Sequence, residues 1–246
     1  CALTGDAFKA LADAVRCNPK KIVLDLSLTE NPELVRCLGR DVADLSGRLA
    51  ALNVSGYRLR EAQLVELLTA LAEVSGLRRL GLRACSDGKL RTPDAVAKAL
   101  AALLACGTLE ALDIADGVGP AVVAALLDTV APERCPLVKL DVTGNSLGDS
   151  GAARMARWLA HNTTLKELAM DNNHVRTNGL LALASAFAQN TALCELAIDG
   201  DAHREYALYM GSSGSSGGSS NSAAAAAAAA DHEHERQRLL ATLRRI

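Results

Sequence analysis

Aliphatic residues recur along this chain in short strings that have a fixed spacing. The strings follow an L-x-x-L-x-L pattern in which Val or Ile can replace the last Leu, as in Leu49, Leu52 and Val54. Copies begin at residues 49, 77, 109, 137, 165 (which ends in Met170) and 193, and a weaker one begins at Lys21 and carries Leu24 and Leu26. The steps are 28 residues, except for a step of 32 from 77 to 109, which indicates a four-residue insertion within or near residues 86–93. A fixed period of this size predicts an array of stacked structural repeats.

A marker position lies eight residues after each start and is occupied in turn by Thr29, Tyr57, Cys85, Gly117, Asn145, Asn173 and Asp201. An Asn side chain can donate and accept hydrogen bonds at once. We therefore expect the Asn residues at this position to tie down backbone groups where the strand bends.

The second half of each repeat has helical spacing. Residues 149–162 and 178–190 carry apolar side chains at helical intervals, and Gly151 and Gly179 occupy the same slot in the two segments. Asp149 or Ser150 is the expected N-cap of the first helix. Alanine is frequent because helices of neighbouring repeats must pack closely side by side.

Strings with this pattern, a period of 28 and a full helix in each repeat resemble the ribonuclease-inhibitor class of leucine-rich repeats. The resemblance covers roughly residues 1–201. It implies an α/β solenoid, a horseshoe with parallel strands on the concave face and helices on the convex face. It also implies a protein-protein interaction scaffold that is not an enzyme and needs no cofactor or metal.

Composition narrows the classes of partner. The net charge of −2 argues against a nucleic-acid binder that depends on a basic surface. Long unbroken apolar runs are missing, which argues against a membrane span. The seven cysteines are irregularly spaced and odd in number, which fits a reducing compartment and predicts a cytoplasmic protein.

The last part of the chain departs from the repeats. We predict that the solenoid occupies residues 1–210, followed by a Gly/Ser and Ala low-complexity linker at 211–230. Residues 231–246 are expected to form a C-terminal helix, because Leu239, Leu240, Leu243 and Ile246 lie on one helical face.

Three segments, residues 1–15, 24–34 and 186–201, are similar to CARMIL proteins, which link actin-capping protein to myosin I. This resemblance implies a regulator of actin filament assembly whose tail helix packs on the solenoid or forms a homodimer with a second copy. Two other classes share the repeat. A RanGAP-type GTPase-activating protein would need a contact Asn or Arg near its start. A NOD-like receptor would have a nucleotide-binding domain upstream of its ligand-sensing repeats.

Side chains alternate along a strand, so the residues that flank the buried leucines point out of the sheet. Of the 21 outward positions, seven are acidic and three are basic, and the acids concentrate in the last repeats. We predict a docking surface for a protein with a basic patch, formed by Arg79, Arg83, Asp113, Asp141, Glu167, Asp171, Glu195 and Asp199. The alternative is a solvated sheet face that simply needs polar residues.

Short motifs that resemble reactive sites have simpler explanations. Residues 148–151 spell GDSG, as in the nucleophile loop of chymotrypsin-like proteases, but only His161 lies nearby in sequence. His232 and His234 are two residues apart, and on a helix they face different directions. The glycosylation sequons at Asn53 and Asn162 are interpreted as incidental.

Overall fold

The computed structural model describes residues 20–27, 42–86 and 90–198, together with residues 10, 13–15 and 17. Within them, seven parallel strands form one sheet in chain order. The strands are β1 (Ile22–Asp25), β2 (Leu49–Asn53), β3 (Arg79–Gly81), β4 (Ala111–Asp113), β5 (Lys139–Asp141), β6 (Glu167–Ala169) and β7 (Glu195–Ala197). Helices lie between them from β2 onward: α1 (Glu61–Ala72), α2 (Pro93–Ala105), α3 (Gly119–Thr129), α4 (Gly148–Leu159) and α5 (Thr177–Phe187). Two short 3-10 helices, Val42–Leu45 and Pro132–Arg134, accompany them. The predicted α/β solenoid is confirmed.

The strand register follows the repeat period. Leu52 pairs with Leu80, and Leu140 pairs with Leu168, each 28 residues further along the chain. Leu80 pairs with Leu112 in the same way across the longer step. Eleven residues separate β3 from α2, whereas seven separate β2 from α1. The insertion therefore lies in the strand-to-helix loop, as predicted, and leaves the sheet undisturbed.

The core is a continuous aliphatic layer between the sheet and the helices. The apolar string of each repeat supplies it from the strand side, and helix residues such as Leu64, Leu68 and Leu100 supply it from the other. Since the helices lie on one side of the sheet, the opposite side is free of secondary structure in the described part. This opposite side is the concave face named in the sequence analysis.

The marker asparagines bind backbone across repeats, as expected. The Asn145 side chain is buried; its Nδ2 donates to the carbonyl oxygens of Ile114 and Val142 at 3.0 and 2.9 Å. Its Oδ1 accepts from the backbone N–H groups of Val118 and Gly119. Asn173 repeats the arrangement one repeat later, accepting from the backbone N–H of Asn145 at 2.9 Å. These amides therefore satisfy backbone groups that would otherwise be buried without partners.

The prediction that Asp149 or Ser150 is the N-cap of the first helix is wrong. Asp149 lies inside α4 and does not cap that helix, which has no side-chain cap. Its Oδ1 accepts from the backbone N–H groups of Arg176 and Gly179 at 2.7 and 3.1 Å, at the start of α5. Ser150 also lies within α4. The first-turn carboxylate points to the next repeat because stacked helices place the following N-terminus beside it.

A similar contact occurs three repeats earlier. Glu61, the first residue of α1, accepts from the backbone N–H groups of Arg91 and Thr92, just before α2. Each carboxylate also lies near the positive end of the next helix dipole, which adds a favourable charge interaction.

The predicted helices 149–162 and 178–190 are observed as Gly148–Leu159 and Thr177–Phe187. The linker at 211–230 and the helix at 231–246 lie outside the described residues, as does the end of the predicted solenoid domain beyond residue 198. Among the described residues, no helix has the length and apolar character needed to cross a membrane.

A substitution at Gly179 tests how closely α4 and α5 pack. A Cβ at this position would lie 2.7 Å from Asp149 Oδ1 and 2.9 Å from the Cβ of Ala152 on α4. We expect Gly179→Ala to lower the free energy of unfolding by about 1–3 kcal/mol, because α5 would be pushed away from α4. Urea denaturation measures the loss. The exposed Ser185→Ala on the same helix is the control, and an equal or smaller loss for Gly179→Ala would contradict this packing.

Candidate protein-binding face

The strand register arranges the predicted site residues in three columns that run across the sheet. Arg79, Glu167 and Glu195 belong to the first column, which also contains Lys139. Asp113 and Asp141 are neighbours in the second column. Arg83 and Asp171 follow the strand ends in the third. Asp199 lies outside the described residues.

Not every outward position is accessible. Ala115 occupies one of the 21 outward positions expected from alternation, but its exposed fraction is 0%. Arg83 reaches from the end of β3 past the β4 repeat to Asp141 on β5. Ala51 is also buried. Alternation along a strand gives the direction of a side chain but does not reveal what covers it.

Carboxylates of the second column stabilise the turns that follow β1, β4 and β5. Asp113 Oδ1 accepts from the backbone N–H of Ala115 at 3.0 Å, and Asp141 Oδ1 accepts from that of Thr143 at 2.9 Å. Asp25 makes the same contact with Ser27, whose hydroxyl and backbone N–H hold the pKa of that carboxyl below its ordinary value. One oxygen of each carboxylate is thus engaged within its own repeat.

Arg83 engages the other oxygens. Its guanidinium contacts the Oδ2 atoms of Asp113 at 3.3 Å, Asp116 at 3.1 Å and Asp141 at 2.5 Å. Burial lowers the pKa of Arg83, but the three carboxylates outweigh it and raise the pKa above the ordinary value. Arg83 therefore does not form an isolated basic pair with Arg79. It is the shared cation of an ion-pair network that joins three repeats.

The first column contains a second, simpler ion pair. Lys139 Nζ lies 2.7 Å from Glu167 Oε2, and this hydrogen bond is the main cause of the raised pKa of Lys139. Glu195 is the next residue in the column, directly beside Glu167 in register, and is exposed. Among the described residues, neither Glu195 nor Asp171 forms an ion pair.

Arg79 differs from Arg83 although the two are only four residues apart. Its side chain is exposed, and it forms no ion pair within the described ranges. In the register it lies between Ala51 and Ala111, which offer no charge. Arg79 is therefore a cation that remains available to solvent or to a partner.

Comparison with known families agrees with this geometry. Residues 135–156 and 161–184 match the family model described as Leucine Rich repeat. These two segments are leucine-rich repeats, and the described strands and helices continue the same strand-and-helix plan along the chain. No curated protein sequence matches the chain.

Several solved structures are similar to this chain at a low level. Leiomodin-1 actin-binding site 2 is 18% identical, with a TM-score of 0.41, and the match covers 73% of this chain and 87% of that one. The leucine-rich repeat-containing protein LegL7 from Legionella pneumophila is 14% identical, with a TM-score of 0.39 and coverage of 77% and 87%. A chain of the yeast Rad7 and Elc1 complex is 16% identical, with a TM-score of 0.38 and coverage of 79% and 60%. Similarity at this level does not indicate a shared partner.

Reactive groups are not assembled on these repeats. Ser150 and His161 are exposed on or after α4, and the described residues contain no group of three or more His, Cys, Asp or Glu side chains placed to hold a metal. Burial raises the pKa of the Cys85 thiol to about 12, so this thiol stays protonated at neutral pH. Cys85 instead donates to the carbonyl oxygen of Val54 at 2.9 Å.

The sequon at Asn162 has a structural role. Asn162 is buried, its Nδ2 donates to the carbonyl oxygen of Pro132, and its Oδ1 accepts from the backbone N–H of Leu165. Such an amide is not accessible for modification. It holds the helix-to-strand return of its repeat in place.

The Arg83 network gives a testable prediction. We expect Arg83→Gln to lower the free energy of unfolding by about 1–2 kcal/mol, since three carboxylates lose their shared cation. The Arg83 side chain is 39% exposed, so water offsets part of the loss. Equilibrium urea denaturation measures it. Added salt should reduce this loss of unfolding free energy, because salt screens the repulsion among the three carboxylates.

Arg79→Gln is the matched control, as it removes the same charge from the same face. It should change stability by less than about 0.5 kcal/mol. Equal effects of the two substitutions would show that Arg83 has no special structural role.

Proposed function

We propose that this chain is a non-catalytic protein-binding scaffold that docks a basic partner at the last strands of its concave face. The binding residues are Glu167, Asp171 and Glu195, which we call the acidic surface. Asp199 belongs to the same proposal by its position in the repeat. Leucine-rich repeats are typically protein-interaction modules, which supports the general function.

The observation that carries the proposal is the unequal use of the concave carboxylates. Asp113 and Asp141 have both oxygens engaged by the protein itself, one in a turn and one with Arg83. Glu195 lies directly beside Glu167, and like charges in this position destabilise a sheet. Lys139 pairs with only one of the two glutamates. A cationic partner would relieve the remaining repulsion and gain from charge steering.

The finer proposal follows the resemblance to CARMIL proteins. We infer a cytoplasmic regulator of actin filament assembly, with a tail helix at 231–246 that packs on the solenoid or on a second copy. The support comes from segments 1–15, 24–34 and 186–201, and half of their residues lie outside the described ranges. Cytoplasmic localisation agrees with the five described cysteines, which are all free thiols.

The experiment measures binding of purified actin-capping protein and of a myosin I tail to the full chain. The test variant is Asp171→Lys with Glu195→Lys. Asp141 is left unchanged, because its substitution would disturb the Arg83 network. The control variant, Glu66→Lys with Glu133→Lys, makes the same charge change at exposed positions on α1 and beside α3. Circular dichroism confirms that all three proteins are folded.

We expect one of the two partners to bind the wild type, the test variant to bind about tenfold more weakly, and the control to be unchanged. Equal binding by all three proteins would remove the acidic surface from the proposal. If neither partner binds, the CARMIL-like role is wrong. Acceleration of GTP hydrolysis by Ran would instead favour the GTPase-activating class, and a bound microbial ligand the NOD-like class.

A further inference from the structure

A second charged surface lies at the other end of the sheet, where the chain enters the first three strands. It consists of Lys20 and Lys21 before β1, Arg48 before β2, and Arg78 and Arg79 at the start of β3. We call these five residues the basic edge. All are exposed except Arg48, which is half-buried. Residue spacing in the sequence conceals this cluster, because its members come from three repeats.

The fold brings these cations together across neighbouring repeats. Lys21 extends across the β2 repeat: its Nζ lies 3.9 Å from the position that a Cβ on Gly76 would occupy, in the turn before β3. The backbone N–H of Ile22 donates to the carbonyl oxygen of Arg48, which fixes these two returns side by side. Adjacent strands are about 4.8 Å apart, so the entries to β1 and β3 are separated by about 10 Å.

Two described carboxylates near this edge, those of Asp25 and Glu110, are already engaged. Asp25, at the far end of β1, is bonded to Ser27, and Glu110 pairs with Arg78 at 3.1 Å. Lys21 and Arg79 form no ion pair within the part of the chain that the structure describes. Lys21 and Arg79 therefore carry positive charge that the described acidic residues leave uncompensated, and these two residues would attract an anionic partner.

An apolar side chain adjoins the cations. Val23 is 59% exposed, the largest exposure among the described large hydrophobic residues that stand out on the surface. It lies two residues after Lys21 in the chain and in the same column of the sheet as Arg79, two strands away. Its register partner Ala51, a small buried residue, lies between Val23 and Arg79. A cationic edge with an adjacent aliphatic contact fits a peptide that carries both acidic and apolar residues better than it fits a simple anion.

We propose that the basic edge is a docking surface for an acidic peptide segment that places an apolar side chain against Val23. Lys21 and Arg79 supply the charge contacts. Arg78 adds a third contact when its ion pair with Glu110 breaks. This surface shares no residue with the acidic surface. The scaffold would then hold two partners of opposite charge at the two ends of one sheet.

The probe is a fluorescein-labelled peptide of repeated Glu-Glu-Leu units, and its Gln-Gln-Leu counterpart tests the need for charge. Binding to the full chain is followed by fluorescence anisotropy at low salt. The test variant is Lys21→Glu with Arg79→Glu. The control, Lys98→Glu with Arg157→Glu, makes the same charge change at exposed positions on α2 and α4. A third variant, Val23→Ser, tests the apolar contact.

We expect the test variant to bind the acidic peptide about tenfold more weakly, the control to bind it normally, and the Gln-Gln-Leu peptide not to bind. Val23→Ser should weaken binding by about threefold, the loss of one partly buried aliphatic contact. Equal losses in the test and control variants would overturn the proposal in favour of non-specific attraction. Failure of the wild type to bind, or binding only to phosphatidylserine vesicles or to a single-stranded oligonucleotide, would also overturn it. None of these results bears on the acidic surface, which the variants leave intact.

Discussion

Each repeat of this chain buries its apolar side only against the repeats before and after it. The strands have no hairpin partners, and every pairing joins residues about 28 positions apart or, at the insertion, 32. Stability therefore depends on contacts that bridge neighbouring repeats. Aliphatic side chains supply most of the buried area, and a small set of polar side chains fixes the spacing by bonding to backbone in the adjacent repeat.

These polar bridges occur in two places. After the strands, the buried side chains of Asn145 and Asn173 bond backbone groups of the neighbouring turns. On the helical side, Trp158 Nε1 donates to the carbonyl oxygen of Val130, and Asp149 caps the next helix. Because the bonds run from one repeat to the next, the surface columns are held in a fixed register. A partner would meet a rigid row of charges, and less conformational entropy would be lost on binding.

The repeat architecture could be predicted from sequence because a period of 28 in the leucine strings leaves few alternatives. The Asn145 role was predictable for the same reason, since its position is fixed by the period. The Arg83 network was not. Its acceptors include residues of β4 and β5, and the period of 28 does not predict that one side chain reaches across two strands. The cap formed by Asp149 was assigned to its own helix, because sequence rules describe local caps and this contact spans 27 residues. The basic edge went unrecognised because its cations occupy different positions in three repeats.

The central claim is that side-chain bonds to the adjacent repeat hold the solenoid together, and Asn145→Ala tests it most directly. Substitution would leave the carbonyl oxygen of Ile114 without this donor, and the backbone N–H groups of Val118 and Gly119 without this acceptor. We predict a loss of about 2–4 kcal/mol in the free energy of unfolding by urea denaturation, against less than about 0.5 kcal/mol for the exposed Asn178→Ala on α5. Equal stability of the two variants would contradict the claim and leave aliphatic packing alone to account for the fold.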